Sequence, residues 1–386
     1  MTLPMREQLT YISLSKIPST TANSMQVMKM CQAFLQEGVG VTLYAPAQDH
    51  ARQITSLLDW YGLEEEIPII RVSGNTRLRG HWYRVKAISM ARANDTPLVF
   101  TRDIAIAALA TGRGLPTLLE MHDVPSTPAN RFYFRTALRS RHLIRVIPIS
   151  KALEEALLML PGSTLERSRT RVLPDGVDLE RFNTRPSKEQ AKDRLNLGDR
   201  PVIGYVGHLY RGRGMETMLE LTRHLNDCLF LIVGGTAEMI QGLKNSLAEN
   251  NAPNVRVEGF IENRYLPTYL AACDALLMPY EKRVSVGGGG DTSRFMSPMK
   301  MFEYMASGVP IIASDLPVLR EVLNEKNCLF CRVGDTDDWV EKIRWAVENP
   351  MEVMSLGSQA RLDVRAYSWR VRARTIIKDL RNELTE

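Results

Sequence analysis

Two series of short, unbroken apolar runs, each run separated from the next by a segment long enough for a helix, leave this 386-residue chain few folds. The first series occupies residues 9–14, 39–44, 67–72, 98–100, 117–120 and 146–149. The second occupies 202–206, 229–233, 255–257, 275–278, 310–313 and 328–333, after a polar stretch at 185–200. A strand with one wet face alternates apolar and polar residues. These runs do not alternate, so both faces must be covered, as in parallel sheets joined by crossover helices. The length suits two domains, each able to bury its own core. The expected class is α/β, with two Rossmann-like β/α/β domains facing across a cleft, residues 1–190 forming the first and 196–366 the second.

No run of eighteen apolar residues occurs, and the opening MTLPMREQLTYISL lacks the regions of a secretory signal, which predicts a cytoplasmic protein. Five scattered cysteines fit a reducing compartment. Cys328 and Cys331 form a lone CxxC inside a strand-like run with no second pair or nearby histidine, so they read as buried free thiols. A formal charge of +5 is modest for this length and argues against nucleic acid.

The most informative segment runs from Ser297 to Ala313. Ser297 reads as an N-cap, Pro298 as the first helical residue and Gly308 as the stop. Such a helix start favours an anion such as phosphate, and Lys300 adds a full charge in its first turn, beside Met299. One turn on, the Glu303 carboxylate suits a vicinal diol such as a ribose. Together they suggest a nucleotide; the alternative is an amphipathic helix with a Lys300–Glu303 surface pair. A second candidate is the run from Gly204 to Met215, directly after a strand. Its glycines, Gly207 and Gly214 among them, allow a pyrophosphate to approach, and Arg213 can clamp it. Val233-Gly234-Gly235 is a weaker phosphate turn or simply a tight turn. The loop from Val286 to Thr292 is too glycine-rich for an element interior, and either closes over a ligand or is a plain connection.

These segments resemble retaining glycosyltransferases of family four, which have the GT-B fold, and in particular bacterial surface-polysaccharide enzymes with Ser-Pro-x-Lys at the helix start. The resemblance covers most of the chain, including Leu173-Pro174-Asp175-Gly176-Val177-Asp178 and Tyr367-Ser368-Trp369. It implies that Glu303 holds the nucleotide ribose. The family's other glutamate, which holds donor-sugar hydroxyls, falls on Phe295, leaving Asp291 as the nearest carboxylate to replace it. In the glycine loop the family's arginine is His208 and its lysine is Arg213. GFIENRYL, beginning at Gly259, resembles the base-binding turn, with Phe260 and Ile261 against a base that is uracil or guanine. The C-terminal helix, 367–386, is expected to cross back to the first domain.

In the first half, Leu118-Leu119-Glu120-Met121-His122-Asp123 places a histidine past a strand end. It resembles the family's active-site histidine, which stabilises positive charge at the anomeric carbon, with Asp123 orienting it. A loop with no glycine, from Ser15 to Ser24, stands where a dinucleotide fold would carry GxGxxG, which argues against a nicotinamide dehydrogenase. Its Thr20, Thr21 and Asn23 either bind acceptor hydroxyls or cap the helix that follows. Arg102 lines the same acceptor side or forms an ion pair.

Two regions lack acidic residues. One, 67–94, carries Arg71, Arg77, Arg79, Arg84, Lys86 and Arg92 with Trp82 and Tyr83; the other, 124–153, places Arg131, Arg135 and Arg139 on one helical face beside Phe132, Tyr133 and Phe134. A cationic helix with aromatics suits an anionic bilayer or a lipid-linked pyrophosphate, which would make the protein peripheral at the inner face of the membrane; the alternative is a solvated face. The resemblance implies hexose transfer from a UDP- or GDP-linked sugar to a glycan or lipid-linked acceptor, with Arg213 and Lys300 on the leaving diphosphate, His122 at the sugar, and no metal or other cofactor. The rivals are a non-hydrolysing nucleotide-sugar epimerase of the same fold and a non-catalytic two-domain sugar-binding protein.

Overall fold

The computed structural model describes residues 8–47, 56–73, 79–250, 252–285 and 290–385. The chain divides into two compact units, Met1–Asp175 with Trp369–Glu386, and Gly176–Ser368. Residues 176–190 and 367–368 thus lie in the second unit. There Val177 bridges to Ser368 in parallel and donates its amide to the Tyr367 carbonyl at 3.1 Å, tying the incoming and outgoing strands together.

In the first unit, β1 (Gln8–Ile12), β2 (Gly40–Pro46), β3 (Ile69–Val72), β4 (Val99–Thr101), β5 (Thr117–Met121) and β6 (Leu143–Pro148) form one parallel sheet in the order β3-β2-β1-β4-β5-β6. β5 is buried along its whole length, as a central strand flanked by helices must be. The helix Ala22–Gln36 is capped by Thr21, whose Oγ1 accepts the Ser24 amide at 3.3 Å, so this threonine serves the helix start. Trp369–Thr385 packs on that same helix: Arg370 and Arg374 hold Glu37 at 3.2 and 2.8 Å. The C-terminal helix therefore returns to the first unit, as expected.

The second unit repeats the plan. β7 (Val202–Val206), β8 (Leu229–Val233), β9 (Val255–Glu258), β10 (Ala275–Met278), β11 (Ile311–Ser314) and β12 (Leu329–Cys331) pair in parallel in the order β12-β11-β10-β7-β8-β9. In both sheets the strand order reverses beside the first strand, which is where ligands bind in such folds, outside the carboxyl ends. The polar stretch at 185–200 is not an irregular linker. It holds the helix Lys188–Leu195, with a Ser187–Gln190 capping box and left-handed Asn196 at its end. Lys188 and Lys192 fasten it to Asp274 at 2.8 and 3.1 Å. Cys328 and Cys331 are buried free thiols.

Candidate functional site

In the second unit, the ends of β7, β8 and β9 meet through glycine. The Gly207 amide donates to the Val233 carbonyl at 2.8 Å, and the Gly234 amide to that of Gly259 at 3.1 Å. Gly234 is at φ +112°, and a Cβ there would stand 2.5 Å from the Gly207 oxygen, so only glycine permits this approach. The loop after Gly207 is fixed against the segment following β10. The amides of Glu281 and Ser285 donate to the carbonyls of Gly212 and Arg211, each at 3.0 Å. A Cβ on Gly214, at φ +83°, would lie 1.9 Å from the Pro279 oxygen.

This fixed loop carries Arg213 to Tyr280, whose hydroxyl takes an Nη1–H at 3.3 Å and whose ring lies 5.5 Å below the guanidinium. Lys300 arrives from the helix Met299–Ser307, its Nζ 3.8 Å from the Tyr205 ring centre and 5.0 Å from that of Tyr280. A Cβ on Gly207 would be 3.4 Å from the same Nζ. Lys300 is 7% exposed. Neither its Nζ nor the Arg213 Nε has a hydrogen-bond partner among the described residues. Burial, reinforced by the Arg213 charge, holds the Lys300 amine well below its usual range, and Glu303 only partly opposes this. A buried ammonium costs several kcal/mol, roughly, and ring faces return only about 0.5–2 kcal/mol of it. The corner is thus built to receive an anion.

The helix start differs from expectation. The cap position is Pro298, at ψ 120°, and Met299 is the first helical residue; Ser297 lies one place outside, buried. Proline has no side-chain acceptor, so no side chain caps this start. Gly308, left-handed at φ +71°, ends the helix as expected. Glu303, one turn in from Lys300, is partly exposed. It also faces Arg181, a residue the sequence did not single out: burial pulls this guanidinium down, and Asp178 and Glu303 oppose that. Arg181 donates to the carbonyl of Asn263, tying the Glu303 neighbourhood to the turn of Phe260 and Ile261. Phe260 presents a 39%-exposed ring and Ile261 is half-buried.

Phe295 is buried, with the Arg294 guanidinium 5.3 Å over its ring. Asp291 Oδ1 accepts the amides of Val284 and Ser293 at 3.0 and 2.9 Å, bonds that hold its carboxyl below the usual range, so one oxygen is committed to shaping the loop. Val286, Gly287, Gly288 and Gly289 lie outside the described residues. His208 stacks on Tyr210 at 5.1 Å, and its carbonyl accepts the Tyr205 hydroxyl at 2.8 Å.

In the first unit, His122 Nε2 is 2.5 Å from Glu120 Oε1, and Asp123 instead accepts the Val124 amide at 2.7 Å. The orienting carboxylate is therefore Glu120, at the end of a strand whose side chains are otherwise apolar except for Thr117. Glu120 is fully buried, with Arg372 Nη1 at 2.7 Å, Gln26 Nε2 at 2.7 Å and Arg102 Nε at 3.6 Å. Burial alone would raise its carboxyl; Arg372, then His122 and Arg102, outweigh it and hold the group ionised far below the usual range. His122 moves down to about 4, by burial first and then the Arg102 charge, against the pull of Glu120. The imidazole is accordingly neutral near pH 7, giving its Nε2–H to Glu120 and leaving Nδ1 as an acceptor. Arg102 Nη1 also donates to Asn23 Oδ1 at 2.7 Å, so those two expected residues do meet, through a hydrogen bond, beside His122's network. Thr20 is half-buried at the same loop. Arg84 is not a free surface charge: it pairs with Asp103 at 2.7 Å. Arg77 lies outside the described residues. Among those described, no group of three or more His, Cys, Asp or Glu is placed to hold a metal ion.

Residues 24–181 match the family described as Glycosyltransferase Family 4, and residues 200–349 the one described as Glycosyl transferases group 1. Among curated proteins, the chain is 29% identical over 223 residues to a GDP-mannose-dependent alpha-(1-6)-phosphatidylinositol monomannoside mannosyltransferase of Mycolicibacterium smegmatis, covering 55% of each. It is 26% identical over 225 residues to a sulfoquinovosyl transferase of Arabidopsis thaliana, covering 55% of this chain and 40% of that protein. The matched part thus spans about half the length of these relatives. Among solved structures, sucrose-phosphate synthase from Thermosynechococcus elongatus superposes with a TM-score of 0.77 at 20% identity, over 98% of this chain and 100% of that one. Anabaena HepE in complex with UDP and glucose gives 0.76 at 16%, over 97% and 99%. The fold is GT-B, and the chain is related in sequence to glycosyltransferases that use nucleotide sugars.

Proposed function

We propose that this chain transfers a hexose from a nucleotide diphosphate sugar to an acceptor hydroxyl with retention at the anomeric carbon. The observation that carries this reading is the pair of cations at the carboxyl end of β7, buried Lys300 and half-buried Arg213, with Nζ and Nε lacking hydrogen-bond partners among the described residues. A diphosphate supplies the oxygens they lack. Glu303, one turn along the same helix, then takes the ribose hydroxyls, and Phe260 and Ile261 take the base, uracil or guanine.

In the reaction, the acceptor oxygen bonds to the anomeric carbon on the face that the diphosphate leaves, and the acceptor proton passes to the departing phosphate oxygen. Arg213 and Lys300 stabilise the charge that grows there. His122 contributes an uncharged imidazole, polarised by Glu120, to the cationic sugar. An imidazolium would repel that charge, and the lowered His122 pKa removes this repulsion. Asp291 is assigned to the sugar hydroxyls through its second oxygen, and Thr20, Asn23 and Arg102 to the acceptor. The acceptor class is a surface glycan or glycolipid. Two features support a lipid-linked one: relatives named for phosphatidylinositol mannoside and sulfoquinovosyl transfer, and the cationic face of Arg131, Arg135 and Arg139. No helix among the described residues is long and apolar enough to cross a membrane.

The test is a thermal-shift screen against UDP-, GDP- and ADP-sugars, followed by incubation of the stabilising sugar with and without a lipid-linked acceptor, the products read by NMR. Stabilisation by one nucleotide class and an axial or equatorial linkage matching the donor are expected. Inversion of the sugar without acceptor would make the protein an epimerase, and stabilisation by no nucleotide sugar would refute the reading.

A further inference from the structure

Arg372 reaches the His122 network from the far end of the sequence, out of the first turn of the helix Trp369–Thr385. Its side chain is 3% exposed, and every nitrogen of its guanidinium is engaged. Nε donates to the Pro174 carbonyl at 2.9 Å and Nη2 to that of Leu173 at 3.2 Å, while Nη1 stands 2.7 Å from Glu120 Oε2 and 3.2 Å from Met30 Sδ. Anchorage of the helix does not by itself call for this residue. Arg370 and Arg374 already hold Glu37 from the same helix, and an apolar side chain is cheaper to bury than a guanidinium. What an apolar side chain cannot supply is charge.

Glu120 is fully buried and ionised, so a positive group must balance it. Three groups are near enough to do so. His122 Nε2 is at 2.5 Å, Arg372 Nη1 at 2.7 Å and Arg102 Nε at 3.6 Å, and Arg102 already gives its Nη1 to Asn23 and Gln26 at 2.7 and 2.9 Å. Without Arg372 the closest base to the carboxylate is the imidazole, and a buried carboxylate at that distance draws a proton onto it. With Arg372 in place, the carboxylate is answered and the guanidinium charge, like that of Arg102, repels a proton from His122. The other titratable groups of the cluster cannot take this part. Tyr11, whose hydroxyl contacts Gln26, and Cys31 are raised by burial and stay neutral, and Asp175, next to Pro174, is a second carboxyl, pushed up to about 7 by burial.

We propose that Arg372 is a positioning residue for sugar transfer: by acting as the counter-ion of Glu120 it leaves His122 an uncharged imidazole, held through Nε2–H. Its effect on turnover rests on the role given to His122 above. The protonation state it imposes does not, and is present without substrate. The alternative, an arginine that only ties the helix to the Leu173 and Pro174 carbonyls, leaves His122 unchanged when the charge is removed and a hydrogen-bond donor is kept.

Nitrogen-15 NMR of the full chain tests this without substrate, the His122 signals being picked out among six histidines by their loss in His122→Asn. In the parent, His122 should carry its proton on Nε2 at pH 7 and titrate at about 4. Arg372→Gln, which keeps a donor for the carbonyls and drops the charge, should bring that titration to about 6.5 or above, and Arg372→Lys, which keeps the charge, should hold His122 neutral. With the nucleotide sugar that stabilises the protein, kcat of Arg372→Gln should fall roughly tenfold per pH unit below the new His122 midpoint, with KM unmoved, and Arg372→Lys should recover much of the loss. If Arg372→Gln does not fold, adding Glu120→Gln removes the charge that needs a counter-ion and should restore folding. Unchanged His122 signals in Arg372→Gln, a ring proton moved to Nδ1 because Glu120 took the extra one, or a double variant that stays unfolded would each overturn the assignment. So would an acid limb in kcat that departs from the NMR midpoint, which would belong to Asp175. Normal NMR behaviour with no sugar transfer by the parent would instead count against the transferase reading alone.

Discussion

Replacing Lys300 with methionine should stabilise the empty protein while costing it its nucleotide. Methionine nearly matches the lysine stem in length, so the contact with the rings of Tyr205 and Tyr280 survives while the desolvated charge beside Arg213 disappears. Exchanging buried charge for an isosteric hydrophobe is worth about 1–4 kcal/mol. Even the low end raises Tm by roughly 2–4 °C in a unit of this size. The sign with pH is definite. The folded-state pKa lies below the unfolded value, so between the two the unfolded chain binds more protons, and stability rises with pH across that window. The penalty is fully present below the folded pKa and is relieved as pH approaches about 10.5. Lys300→Met should flatten this rise. A diphosphate at Nζ raises the folded pKa again, so binding of UDP or GDP by the parent takes up a fraction of a proton in the same window, measurable by calorimetry in buffers of different ionisation enthalpy. The variant should show no uptake and lose about 1.5–3 kcal/mol of affinity, roughly 10- to 150-fold. A variant that melts lower than the parent and binds the nucleotide unchanged would refute the account of the site.

Glu303→Ala should weaken nucleoside diphosphate binding by about 1.5–3 kcal/mol in calorimetry, the scale of lost charged hydrogen bonds, and unchanged affinity would remove the ribose assignment. Arg213→Ala should lower kcat more than it raises KM, because the leaving charge grows in the transition state; an effect on KM alone would contradict its role. Arg372→Met leaves Glu120 buried without its nearest cation, at a cost of about 3–5 kcal/mol to the first unit in denaturant melts. Because the folded Glu120 pKa is depressed, the parent's stabilisation is present above the ordinary carboxylate pKa and is lost as pH falls, and this loss should shrink in the variant. His122, lowered to about 4, makes the unfolded chain bind more protons between there and about 6.5, so stability should rise with pH over that interval, and His122→Asn should remove this contribution.

Much of the fold was legible because its signal is local. All twelve apolar runs became strands, with no end displaced by more than three residues, since a fully buried parallel strand announces itself by lack of alternation. The helix at 188–195 was missed for the opposite reason: its residues are polar nearly all round, only Ala191 is buried, and it is held by caps and by Asp274 rather than by an apolar stripe. The start of Met299–Ser307 was placed one residue early because Ser-Pro satisfies the usual cap rule, while Pro298 keeps an extended ψ. Lys300, Arg213 and Gly207, which the structure brings to one corner, stood out in the sequence because each sits beside glycine or a helix start. Arg372 offered no local signal, because its partner Glu120 lies at the other end of the unit's sequence. Glu120 did offer one: a lone carboxylate in a buried strand requires a cation.

The two buried cation sites differ in a way that separates positioning from binding. At Glu120, Arg372 and Arg102 face a carboxylate that His122 and Gln26 also contact, so this cluster balances its own charge and can hold one imidazole in one tautomer. At Lys300 and Arg213, the nearest groups are ring faces, a tyrosine hydroxyl and a glycine backbone, none of which cancels charge. Both clusters are on sheet ends fixed by short backbone contacts, so neither can relax by swinging a side chain into water without giving up its packing. The first arrangement is stable as it stands. The second leaves charge uncancelled, and on the proposed reading the energy it withholds from folding is available for holding a diphosphate more tightly as that group takes on negative charge.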